Sequence, residues 1–219
     1  MSGSVQSQLN AAFAQIGAIF GGAYTQYRPT GTMNPLATVF GTVIAGFDST
    51  PLLTFRAPDK YGNELFYAAA DPSLLAVGDY LVGAIGTLFV AGIEPNKPAL
   101  CVRCNRVISI LRPNANATVP SAPVFGVQPA YSGAGPTQTQ SLLSGWPACV
   151  LQGTKGERGV AGLPDDTRLP WVQVLLPSVP GIVLLNNDQM TDDLGERFTI
   201  SSREQTSLGW RLTAALAST

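Results

Sequence analysis

Gly78-Asp79-Tyr80-Leu81-Val82-Gly83-Ala84-Ile85-Gly86-Thr87-Leu88-Phe89-Val90 and Asn187-Asp188-Gln189-Met190-Thr191-Asp192-Asp193-Leu194-Gly195-Glu196-Arg197-Phe198-Thr199 are two passages of one pattern. In each, an Asp stands seven positions before a turn glycine, Asp79 before Gly86 and Asp188 before Gly195. A Phe follows the glycine by three, and a last apolar run opens fifteen residues after it, at Cys101 and at Trp210. This spells strand, tight turn, strand, loop, strand: a three-stranded meander whose hairpin glycine supplies a positive φ. A duplication is the expectation, and with it two small β-barrels in tandem.

Working outward, short apolar runs bounded by turn residues continue after Arg28-Pro29, as all-β domains show. Strands are expected at Ala37–Phe47, Leu52–Arg56, Glu64–Ala70, Asp79–Val82, Thr87–Ile93 and Leu100–Leu111. Further ones are expected at Ala148–Gln152, Val172–Leu176, Ile182–Leu185, Arg197–Ser201 and Trp210–Ala214. The prolines from 51 to 180 fall between or at the edges of these runs, or in the stretch after Arg112, where they remove no ladder hydrogen bond. Before them, Val5, Leu9, Ala12, Phe13, Ile16 and Phe20 share one stripe of a helix that Gly21-Gly22 can end. The opposite side is polar but uncharged, so lipid binding is not expected. The stripe can fold back on its own domain or dock on a neighbouring subunit.

The fold class expected is mainly β: two tandem barrel-like meander units behind an N-terminal amphipathic helix. Residues 1–30 form the helix and an arm, 31–112 the first β domain and 141–219 the second. Residues 113–140, rich in Pro, Gly, Asn, Thr and Gln, read as a linker or an extended arm. Residues 153–164 carry glycine at every third position, too few triplets for a collagen helix. That stretch opens a long loop bearing Lys155, Glu157, Arg158, Asp165, Asp166 and Arg168, the densest charge in the chain and an expected solvent- or lumen-facing patch.

Composition narrows the function. Only 12% of the 219 residues are charged, about half the usual share, and the net charge is −1. A free nucleic-acid binder needs a positive excess, so that class is disfavoured. A near-neutral, charge-poor surface implies burial against other subunits. There is no histidine, which removes the commonest general base and metal ligand. The pair Cys101-Val102-Arg103-Cys104 has only Cys149 as a third thiol, so zinc cannot be completed from sulfur and nitrogen. The pair also opens a β-branched run rather than a helix, so packed reduced thiols are expected. Asp188, Asp192 and Asp193 lack the alternation of a calcium loop and read as turn residues. Phosphate-loop, dinucleotide and nucleophile-elbow motifs do not occur. No enzyme activity, cofactor or metal is expected. No positive n-region precedes Arg28 and no long apolar span exists, so a soluble chain made in a cytoplasm is expected.

Several phrases spread along the chain resemble a family of structural proteins of tailed bacteriophages and prophages. They are Tyr27-Arg28-Pro29-Thr30 with Asn34-Pro35-Leu36, Val77-Gly78-Asp79-Tyr80-Leu81-Val82-Gly83, and Val102-Arg103-Cys104-Asn105-Arg106. Gly145-Trp146-Pro147-Ala148, Asp192-Asp193-Leu194-Gly195-Glu196-Arg197-Phe198 and Leu208-Gly209-Trp210-Arg211-Leu212 complete the set. The C-terminal pattern also resembles the small β-barrel of head–tail joining proteins. The resemblance implies a virion component assembled in the bacterial cytoplasm, a neck or connector ring between portal and tail. Its partners would be further copies of itself and portal, neck or tail subunits, with DNA only as passing cargo and no membrane. The alternatives are a tail or baseplate structural protein and, from another class, a host-surface binding module. Val5, Leu9, Phe13, Ile16 and Phe20 are the expected interface residues.

Overall fold

Glycines at the two expected hairpins set the geometry: Gly86 has φ +102° and Gly195 φ +80°, backbone that L side chains avoid. The computed structural model describes residues 2–54, 64–113, 139–153 and 170–217. Helix α1 (Ser2–Phe20) leads into β1 (Gly22–Tyr27), β2 (Val39–Asp48), β3 (Leu65–Ala69), β4 (Tyr80–Gly83), β5 (Gly86–Gly92) and β6 (Ala99–Cys104). Then follow β7 (Arg106–Pro113), β8 (Thr139–Gln152), β9 (Trp171–Leu176), β10 (Gln189–Asp192), β11 (Arg197–Thr206) and β12 (Gly209–Leu216).

The strands close into two six-stranded antiparallel barrels, β1-β2-β3-β6-β5-β4 and β7-β8-β9-β12-β11-β10. Relabelled from its own first strand, each barrel has the same order: two meanders joined edge to edge. The pairing registers correspond too. Tyr80 faces Phe89 and Leu81 faces Leu88 in the first barrel, as Gln189 faces Thr199 and Met190 faces Phe198 in the second. The protein is a tandem of two equivalent barrels, as the two meander passages implied.

Alternation along β5 explains its unbroken apolar run. Leu88 and Val90 point into the first barrel, while Phe89 and Ala91 point out of it, yet all four are buried. The outward pair is buried because the second barrel lies against it. One hydrophobic cluster runs from Ile108, Ile110, Val174, Met190 and Leu212 inside the second barrel to Tyr80, Phe89, Ala91 and Val102 on the outside of the first. Tyr80 stands at the centre of this junction. Its ring meets Phe89 and Trp146 edge-on at 6.2 and 6.1 Å, and its hydroxyl donates to the Pro147 carbonyl at 2.8 Å. Burial pushes its phenol pKa well up.

A strap adds to the junction. Thr32–Asn34, from the β1–β2 connection, lies parallel to β8: Met33 bridges Ser144, Asn34 N–H donates to the Ser144 carbonyl, and Ser144 N–H donates to that of Thr32. Trp146 Nε1 also donates to the Thr32 carbonyl, at 2.6 Å.

Several boundaries differ from those read in the sequence. The change of barrel falls at Asn105, inside the run taken as one strand from Leu100 to Leu111. Residues 106–112, grouped with the first domain, therefore pair in the second barrel. The 113–140 stretch interrupts that second barrel between β7 and β8 and does not join the two. Residues 22–27, read as arm, form β1 of the first barrel. The expected strand at Ile182–Leu185 is irregular backbone whose Leu184 plugs the core, and Leu52–Thr54 pairs with no strand.

Candidate interaction surfaces

Each barrel is pinned by an arginine and a buried aspartate at matching positions. Arg28, just past β1, grips Asp79, just before β4, with Nε and a terminal nitrogen, both at 2.7 Å. Arg112, near the end of β7, grips Asp188, just before β10, in the same bidentate way at 2.8 Å. Both carboxylates also accept the backbone N–H three residues earlier, from Ala76 and Leu185, at 2.7 Å. Asp79 takes a further bond from Gln26 Nε2 at 2.7 Å; Ile110 occupies that place in the second barrel. The pairing holds the guanidinium pKa values of Arg28 and Arg112 above their usual level. These groups tie the first strand to the fourth in each repeat, a structural duty with every oxygen occupied.

The registers also show which faces correspond. The second barrel presents the outer side of β8 and β9 to the first, through Pro147, Cys149, Leu151 and Leu175. The equivalent positions of the first barrel are Ile44, Gly46, Asp48 and Ala69 on β2 and β3. Helix α1 covers the Gly46 and Ala69 part of this surface and leaves the Ile44 side chain exposed. A Cβ on Gly17 would collide with the backbone carbonyl of Ala69, and one on Gly46 would touch Gly21 and Phe20. The helix thus sits where a preceding barrel would sit, and glycine is what allows its backbone to approach so closely. At the other end the apolar Tyr80, Phe89 and Ala91 correspond to Gln189, Thr199 and Ser201, so the exposed face of the second barrel is polar. Both ends of the tandem are capped, as in repeat arrays.

Of the expected interface residues, Leu9, Phe13 and Ile16 are half-buried, while Val5 and Phe20 are exposed. The helix rests on its own barrel, fastened by the Asn96 N–H donating to Gln6 Oε1 at 3.1 Å. Gly17, the point of closest approach, was not singled out; its spacing of four from Gly21 was the available signal. Ile19 on α1 and Val39, Phe40 and Ile44 on β2 are large apolar side chains that stand exposed. The guanidinium of Arg28 stacks over Phe40 at 3.9 Å from the ring centre.

The expected chemical groups are engaged in structure. Cys101 and Cys149 are buried and Cys104 half-buried, all reduced. Burial pushes the Cys101 and Cys149 thiols up to about 12 and raises Cys104 as well. Asp192 accepts from the backbone N–H groups of Leu194 and Glu196, at 3.0 and 2.9 Å, which is the turn role expected of it. Among the described residues no cluster of three metal-ligating side chains occurs. No helix among them is long and apolar enough to cross a membrane. Lys155, Glu157, Arg158, Asp165, Asp166 and Arg168 lie outside the described residues.

An apolar cleft of about 490 Å³ runs between the barrels, walled by Phe89, Ala91, Val102, Leu151, Leu175 and Trp210. The buried Nε1–H of Trp210 has no acceptor among the described residues. Glu64 and Arg211 are the charged residues at the cleft, and Glu64 is tied to Arg103 at 2.6 Å. Such a lining can hold apolar groups but offers little acid–base chemistry. Comparison of the chain with protein-family models, with curated proteins and with solved structures finds no significant match.

Proposed function

We propose that the protein is a structural subunit of a tailed-phage virion, a neck or head–tail connector component that packs against copies of itself and against portal or tail subunits. The observation that carries the reading is the exposed apolar flank of the first barrel, Ile19, Val39, Phe40 and Ile44, on a chain with a charged content of only 12%. Several large apolar side chains exposed on α1 and β2 suit an interaction surface. Capped tandem barrels, locked by buried ion pairs, supply a rigid body for it. The near balance of 13 basic and 14 acidic residues suits a wall past which DNA slides, since a strong positive excess would bind phosphates. The resemblance of the phrases around Asp79, Cys104, Trp146 and Gly195 to phage structural proteins supplies the location. In this role the protein holds shape and performs no reaction.

The test is electron microscopy of purified virions carrying a tag after Thr219. Label at the junction of head and tail is the expected result. Label at the tail tip would move the protein to the baseplate, and its absence from virions would overturn the proposal.

A further inference from the structure

Helix α1 docks on its barrel by a side that is not its apolar one. Among residues 5–20 only Gly17 is fully buried, against the Ala69 backbone. Gln6, eleven residues earlier and so on the same side, takes the Asn96 N–H at 3.1 Å. Val5, Leu9, Ala12, Ile16 and Ile19 form another line, spaced 4, 3, 4 and 3. At about 100° per residue, the centre of that line lies about 120° around the helix from Gly17. Val5 is 54% exposed and Ile19 73%, Ala12 is exposed, and Leu9 and Ile16 are half-buried. None of the five is part of either hydrophobic cluster of the described residues.

That spacing names a helix as the occupant. Alternating steps of 4 and 3 average 3.5, the repeat of a coiled-coil seam, and leave holes that fit the side chains of a second helix. Charge selects which helix. Residues 2–20 carry no charge, so a partner helix with charged flanks would find nothing to pair with, whereas a second copy of α1 brings none. No side chain of α1 offsets its macrodipole, and two copies lying antiparallel set the positive end of each beside the negative end of the other. The line also reads nearly the same in reverse. Val5 and Ile19 each stand seven residues from Ala12, with Leu9 and Ile16 between, and the small Ala12 lets two backbones cross closely. From Val5 to Ile19 the seam runs about 21 Å.

We propose that α1 pairs with α1 of a second copy, antiparallel about a two-fold axis near Ala12, through Val5, Leu9, Ala12, Ile16 and Ile19. The barrel holds the helix by its Gly17 side and presents the seam outward. This pairing deepens the assembly reading above and rests on it for the presence of a second copy. The contact is isologous, so it closes at two copies and leaves any ring to other faces.

Thiol crosslinking of the full chain tests the arrangement. Protein carrying Val5→Cys, mixed with protein carrying Ile19→Cys, is treated with a short bismaleimide. Dimers joined from 5 to 19 should form in excess over those joined 5 to 5 or 19 to 19. The parent chain, its own thiols buried or half-buried, is the control. Sedimentation should show self-association weakened at least about tenfold by Ala12→Lys, which sets a charge in the seam. It should be unchanged by Ser7→Lys on the opposite side of the helix. Circular dichroism should stay native in both, because both residues are exposed. An excess of dimers joined at like positions would show a parallel pair and overturn the proposal. Oligomers unweakened by Ala12→Lys would overturn it while leaving the assembly reading intact, and a chain monomeric at every concentration would overturn both.

Discussion

Replacing Asp79 by Ala separates the structural account of the Arg–Asp locks from a decorative one. The Asp79 side chain is fully buried, whereas that of Arg28 is 36% exposed. Its carboxylate accepts four bonds, from Arg28 twice, Gln26 and Ala76, each at 2.7 Å. On its removal Arg28 regains water, and Gln26 Nε2 keeps the Leu74 carbonyl at 2.9 Å. The Ala76 N–H loses its partner in a half-buried setting. Breaking a buried pair costs about 3–5 kcal/mol, and the partial rehydration of Arg28 points to the lower end, about 3 kcal/mol. For a chain of this size that lowers Tm by roughly 6–12 °C. Asp188→Ala removes three such bonds, with no glutamine involved, and should cost about 2–3 kcal/mol. Urea unfolding followed by tryptophan fluorescence, with the m-value compared to the parent, measures both. A loss under about 1 kcal/mol at both sites would refute the argument, since that is the size of an exposed ion pair.

Three further outcomes follow from the packing. Tyr80→Phe strands the buried Pro147 carbonyl and should cost about 1–2 kcal/mol in the same assay without altering secondary structure. Gly17→Val forces a side chain into the Ala69 backbone, lifting α1 from its barrel; a loss of about 1–3 kcal/mol and faster proteolysis within residues 2–20 are expected. Cys101 and Cys149 should resist a thiol reagent until denaturant is added. Because their folded pKa values are raised from 9.0 to about 12, the stability they contribute is whole below pH 9 and is lost as pH climbs toward 12. Thermal melts across that range should fall less steeply for Cys101→Ala than for the parent.

The repeated meander was legible because its signals are local: an Asp that turns the chain, a glycine with positive φ, and alternating apolar residues between them. What escaped the sequence depends on pairing at a distance. Strand β1 hides its period because the inward-facing Gln26 is polar, made tolerable by Asp79 and Leu74. The crossing at Asn105 is silent within a β-branched run. Its side chain donates to the Val150 carbonyl at 2.8 Å and accepts from the Val150 N–H at 2.7 Å, stitching the two barrels where the ladder breaks. Ile182–Leu185 looks like a strand, yet the carbonyls of Val183 and Leu184 are taken by Arg112 and Arg203 instead of by a neighbouring strand. The two lock arginines stand 51 and 76 positions from their aspartates, beyond the range of any local pattern. Of the helix stripe, Leu9, Phe13 and Ile16 are half-buried, while Val5, Ala12 and Phe20 are exposed. The surface it occupies followed from Gly17, whose lack of a side chain gives no hydrophobic signal.

Doubling a barrel creates a hazard that this chain has met twice. A copied unit inherits both halves of its own contact, so an unmodified pair would keep adding molecules end on end into a filament. Here the leading half lies under the helix, and the trailing half has become Gln189, Thr199 and Ser201. Neither change alone reopens growth: stripping the helix leaves a hydrophilic end with nothing to seize, and restoring aromatics at 189 and 199 meets a socket still plugged. Runaway polymerisation along that axis therefore requires two unrelated lesions in one gene.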